Sequence, residues 1–127
     1  MRFFVHPIFA SGHYQTATTL GQQLVKRGHE VIIYAPEPMK ERVSANKFNK
    51  GFMYITPNVE PSGFDALMIQ LGKDEITNHD AHLRWNVQAM ELYALEHQRY
   101  KREIEQILDI IKPDVVLLDQ ASFSSFP

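Results

Sequence analysis

Four short apolar runs, each closed by proline or aspartate, alternate along the chain with stretches whose apolar positions recur every three or four residues. The first run, Arg2 to His6, carries Phe3, Phe4 and Val5 in succession, as a strand covered on both faces of a parallel sheet does. Pro7 has no N–H to give a central ladder and ends it, leaving Ile8 to Gly12 as a loop. Val31 to Ala35, stopped by Pro36 and Pro38, predicts a second strand, and Phe52 to Thr56, stopped by Pro57, a third. After Pro113, the run Val115, Val116, Leu117 and Leu118 predicts a fourth that closes with Asp119.

Between the strands the period changes. Ala17, Leu20, Gly21, Leu24 and Val25 form one face of an amphipathic helix, with Gln15, Thr18, Gln22, Gln23 and Lys26 on the others. Gly21 on the buried stripe costs roughly 1 kcal/mol of helix propensity, which close packing of helix on sheet compensates. Lys26 and Arg27 suit the negative end of the helix dipole, and Gly28 suits the left-handed residue that stops the helix. A short helix is expected over Met39 to Ala45, a loop over Asn58 to Gly63 and a short helix over Asp65 to Leu71. From His79 to Ile111, Leu83, Val87, Met90, Ala94, His97, Ile104, Leu108 and Ile111 keep a three-and-four spacing, giving one long helix or two joined ones.

Alternating strands and helices imply an α/β domain, Rossmann-like and three-layered, whose parallel strands are joined by right-handed crossovers. The simplest strand order is 3-2-1-4. Its switch point falls between strands 1 and 4, where open α/β sheets bind their ligands. His13, where the first loop becomes the helix, and Asp119, at the end of strand 4, then meet at one crevice.

Length, charge and composition narrow the possibilities. A chain of 127 residues makes one compact domain, spanning 1–127, that buries roughly two-thirds of its unfolded surface. Its 44% hydrophobic and 22% charged content is that of a globular protein with a packed core. The net charge of -2, with no basic run, argues against nucleic acid as a partner. The absence of cysteine excludes disulfides, thiolate zinc sites and cysteine nucleophiles, and suits a cytoplasmic location. No apolar run approaches the roughly 18 residues of a transmembrane helix.

A histidine beside a buried carboxylate is the minimum equipment of a general base. The imidazole takes a proton from a hydroxyl while the carboxylate fixes its tautomer and stabilises the imidazolium. At about 4 Å and an effective dielectric of 20, that carboxylate offers on the order of 4 kcal/mol. The helix dipole opposes the cation by only roughly 0.3 to 1 kcal/mol. The plainer reading makes His13 a helix-start residue and Asp119 a cap. A dinucleotide site is disfavoured, since the first loop has only Gly12 where that fingerprint needs three glycines and strand 2 lacks a terminal acidic residue. His79, Asp80 and His82 lack the spacing of a zinc helix, so no metal site is expected. His6 and His29 read as structural, and Trp85, Tyr93 and Tyr100 as helix packing.

Gly12-His13, followed by Leu20, Leu24 and then Arg27-Gly28-His29-Glu30-Val31, resembles the opening of the family 1 glycosyltransferases, the UDP-glycosyltransferases of the GT-B fold. Pro113 to Asp119 is similar to that family's later strand with its terminal aspartate. After Gly-His, many members carry Asn-Pro where this chain has Tyr14-Gln15-Thr16. The resemblance implies an inverting glycosyltransferase that moves a sugar from a nucleotide sugar, expected to be a UDP-sugar, to a hydroxyl of a small lipophilic acceptor. It implies no metal and no cofactor beyond the donor. His13 becomes the general base and Asp119 its partner. Gly12 would let the backbone approach the donor phosphates, and Ile8, Phe9, Tyr14 and Phe123 would lie near the acceptor.

Nothing in the chain matches the family's donor-binding signature, so the expectation is an incomplete GT-B N-terminal domain, inactive alone. The donor domain would lie in cis or on a partner chain. Val115 to Leu118 as a bare edge strand would invite aggregation, which also calls for a covering element. The alternative function is a non-catalytic α/β module that binds a ligand or a protein at the same crevice.

Overall fold

The computed structural model describes residues 1–7, 11–45, 50–56 and 79–119. Its elements follow the order β1 (Arg2–His6), α1 (Ser11–Lys26), β2 (Glu30–Tyr34), α2 (Glu37–Ala45), β3 (Phe52–Ile55), α3 (His79–Ile111) and β4 (Val115–Leu118). The four strands form one parallel sheet in the order β3-β2-β1-β4, as the alternation predicts. The long periodic stretch is a single helix of 33 residues. Residues 58–63 and 65–71, expected as a loop and a short helix, lie outside the described residues.

Side chains alternate across the sheet, so Val31 and Tyr34 project to opposite faces. On the Val31 face lies α1. A Cβ on its Gly21 would sit 2.9 Å from Phe52 Cε1 and 3.5 Å from Val31 Cγ1. Glycine is therefore the residue that lets this helix approach, as the sequence predicts. On the other face lies the C-terminal half of α3, where Tyr100 meets Tyr34 edge-on at 6.4 Å. Phe4, Val5, Val31, Ile32, Ile33 and Tyr34 in the strands, with Tyr14, Met39, Val43, Tyr100, Ile104 and Ile107 in the helices, fill the core.

Two sequence assignments on α1 change. Thr18, expected on a polar face, is buried, and its hydroxyl donates to the Tyr14 carbonyl at 2.8 Å. That bond satisfies the hydroxyl locally and makes burial tolerable. Leu20, expected in the core, is 49% exposed. The helix is rotated so that Tyr14, Thr18 and Gly21, at intervals of four and three, face the sheet. The small side chains at 18 and 21 set that rotation by allowing close contact.

At the N-terminal edge of the sheet, Arg2 fixes the register. Its amide donates to Asp114 Oδ2 at 2.6 Å, its guanidinium to the Ile111 carbonyl at 2.6 Å and to Glu30 Oε2 at 2.8 Å, and its carbonyl accepts from the Asp114 amide. The end of α3 and the start of β4 are thereby tied to β1. Lys112 ends α3 with φ of 43°, and Gly28, with φ of 81°, takes the left-handed position expected after α1. Among the described residues, no helix is long and apolar enough to cross a membrane.

Candidate functional site

With its start pinned by Arg2, β4 runs beside β1 in the register Phe3 to Val115 through His6 to Leu118. The Asp119 amide then donates to the His6 carbonyl at 3.1 Å and carries the ladder one step past the strand. This brings the Asp119 carboxylate over the C-terminal end of β1, next to the first turn of α1. There Asp119 Oδ2 lies 2.5 Å from His13 Nδ1, although 106 positions separate the two in sequence. The two side chains are unequally exposed, His13 at 46% and Asp119 at 15%. Solvent around the imidazole screens the attraction well below the figure for a buried pair.

The carboxylate accepts hydrogen bonds and cannot donate while ionised, so the bonded Nδ1 carries the proton of a neutral His13. Nε2 is then the nitrogen with a lone pair. The pair stands at the mouth of a groove of about 220 Å³ between α1 and the β1–β4 edge, lined by Val5, Thr16, Ala17, Leu20 and Leu117 as well as by His13 and Asp119. Leu20 is exposed because it borders this groove. A mostly apolar trough with two convergent polar groups at one end is the usual form of a small-molecule site.

His6 lines the same groove, yet its side chain belongs to the interior, edge-on to Tyr34 at 4.9 Å. Burial pushes the imidazole down from 6.5 to about 4, and the charge of Asp119 works in the opposite direction. Its core packing agrees with a structural histidine, while its electrostatic contact with Asp119 is a feature that strand periodicity does not reveal. Tyr34 is pushed up by burial first, then by the charge and hydrogen bond of Glu103 on α3.

Of the residues expected around a ligand, Gly12 is exposed in the first turn of α1, with open space where a Cβ would stand. Tyr14 requires a correction. It is fully buried, and its hydroxyl donates to the Tyr34 carbonyl at 2.7 Å. The reason is the helix face: within α1 (Ser11–Lys26), Tyr14 stands four residues before Thr18 and seven before Gly21, on the side that meets the sheet. Ile8, Phe9 and Phe123 lie outside the described residues. Thr16 and Leu20, which sequence reasoning did not assign to the site, enter it. Their spacing from His13 on one helix face was the available signal. Among the described residues no three His, Asp or Glu side chains converge as a metal site would require, and the side chains of His79, Asp80 and His82 are outside them.

No protein-family model matches the sequence, and no curated protein matches it. Solved structures do match. The spinosyn rhamnosyltransferase SpnG aligns with a TM-score of 0.66 at 19% identity, over 96% of this chain and 30% of that one. SpnG complexed with thymidine diphosphate gives 0.66 at 20% identity over the same shares, and SpnG complexed with spinosyn aglycone 0.65 at 20% over 96% and 29%. The chain therefore spans about 30% of the length of the glycosyltransferases it matches. Its parallel sheet of order β3-β2-β1-β4, with helices on both faces, is the fold of part of a GT-B glycosyltransferase N-terminal domain.

Proposed function

We propose that this domain is the acceptor side of an inverting glycosyltransferase, with His13 as general base. The observation that carries this reading is the His13 Nδ1 to Asp119 Oδ2 contact at the mouth of an apolar groove beyond the carboxyl ends of the strands. Asp119 holds the proton on Nδ1 and leaves Nε2 to receive the proton of an acceptor hydroxyl. The acceptor oxygen forms its bond to the anomeric carbon on the face opposite the diphosphate, and the bond from that carbon to the diphosphate oxygen breaks. The nucleoside diphosphate leaves with the electron pair, and the imidazolium on His13 is stabilised by Asp119. No metal is needed for these steps.

The acceptor is a small hydroxylated molecule with an apolar body, matching the apolar trough. The donor is a nucleoside diphosphate sugar. A UDP-sugar follows from the sequence resemblance, and the thymidine diphosphate in one matched SpnG structure makes a TDP-sugar the second donor to test. Donor binding falls to a further domain, in cis or on a partner chain.

The test is sugar transfer by the gene product containing this chain, given UDP- and TDP-sugars and a panel of hydroxylated acceptors. General-base catalysis contributes roughly 10² to 10⁴-fold, so His13→Ala lowers kcat by that factor, and Asp119→Asn lowers it by a smaller one. Transfer indifferent to both substitutions removes the mechanism. Acceptor binding with no transfer to any donor would favour a non-catalytic binding module instead.

A further inference from the structure

The helix α3 carries two apolar faces. Its C-terminal half turns Tyr100, Ile104 and Ile107 into the core, while Leu83, Val87, Met90 and Ala94 in its N-terminal half are all exposed, Val87 and Met90 at 59% each. Length explains the division. At 1.5 Å per residue α3 is about 50 Å long, whereas strands of four or five residues span about 17 Å. The helix overruns the sheet, and at 100° per residue its exposed stripe lies about a quarter turn from its core face.

Leu83, Val87, Met90 and Ala94 are spaced four, three and four, the d-a-d-a pattern of a helix pair. Immediately after Leu83 and Met90 stand Arg84 and Glu91, both exposed and both on the same flank of the stripe. A two-fold axis through the middle of the stripe reverses the order of the second helix. Val87 then packs against Met90 of the second copy, and Arg84 faces Glu91 of that copy, with the reciprocal pair formed by symmetry. The flank is thus charge-complementary to its own inverted image.

We propose that the N-terminal half of α3 is a self-association surface, on which two copies of this chain pair antiparallel through Leu83, Val87, Met90 and Ala94. The contact is short, about 16 Å along the helix. Four side chains on one helix face are a small patch against the roughly 1,000 Å² of a stable interface, so the expected dimer is weak and forms with rising concentration.

Sedimentation equilibrium on the 127-residue chain over a concentration series tests this. The expected result is a monomer–dimer equilibrium that Val87→Glu abolishes; Val87 is exposed, and an unchanged far-UV circular dichroism spectrum establishes that the variant folds. Arg84→Glu and Glu91→Arg each convert two attractive pairs into repulsive ones and weaken the dimer about tenfold, while the double variant recovers wild-type association. A chain that stays monomeric at every concentration, association that survives Val87→Glu, or a double variant no better than the single ones would each overturn the proposal.

Discussion

Acid should destabilise this domain through one residue, His6. It is only 4% exposed, and burial depresses the imidazole from 6.5 to about 4 against the opposing charge of Asp119. The unfolded chain therefore binds this proton at a higher pH than the folded one. Stability is intact above the unfolded value, falls as the pH drops from about 6.5 towards about 4, and loses nothing further from this group below that. At about 1.4 kcal/mol for each pH unit between those two values, the whole window removes about 3 kcal/mol. The part between about pH 7 and about pH 5, before most carboxylates titrate, is about 2 kcal/mol. In urea, with a slope of about 1–3 kcal/mol/M, that moves the midpoint by about 1 M.

The assay is urea unfolding followed by circular dichroism across this pH range, for wild type and for His6→Phe. Phenylalanine keeps an aromatic edge against Tyr34 and cannot titrate. Its absolute stability will differ from wild type, so the comparison is between the slopes with pH, and the variant's should be nearly flat above about pH 5. Asp119→Asn removes the charge that raises the His6 pKa, so the acid loss in that variant extends to lower pH. Equal slopes for wild type and His6→Phe would refute the assignment of the loss to His6.

Other outcomes follow from the same geometry. Tyr14→Phe removes the hydroxyl that satisfies the Tyr34 carbonyl and should cost about 1–2 kcal/mol in urea unfolding. It should leave the acceptor KM unchanged, because the side chain serves the core. Gly21→Val places carbons where a Cβ alone would stand 2.9 Å from Phe52, and thermal or urea unfolding should register a loss of about 2 kcal/mol. Leu20→Ala deletes an exposed side chain at the groove and should leave stability within about 0.5 kcal/mol. If the trough holds the apolar body of an acceptor, the same change raises the KM for bulky acceptors.

Local pattern is enough for the strands, their order and the closing positions of His13 and Asp119. A continuous apolar run marks a strand, covered on both faces in β1 and β2 but not in β3 and β4, where Met53, Val116 and Leu118 are exposed; proline ends the run, and right-handed crossovers leave few sheet orders to choose from. The resemblance at Gly12-His13, Arg27 to Val31 and Pro113 to Asp119 points to the same fold that the matched structures show.

What only the tertiary structure decides depends on how elements rotate and how far they extend. Periodicity places Ala17, Gly21, Leu24 and Val25 of α1 correctly against the core and misplaces Leu20 and Thr18, because Thr18 and Gly21 are small and close approach to Phe52 and Val31 counts for more than the hydropathy of Leu20. Tyr14 goes to the core because it shares the sheet-facing side of α1 with Thr18 and Gly21. The stripe from Leu83 to Ala94 has the period of a core helix, and it is exposed because α3 is about three times as long as the strands beneath it. Periodicity records that a face is apolar; which surface meets it is fixed by lengths and rotations that exist only once the chain has packed.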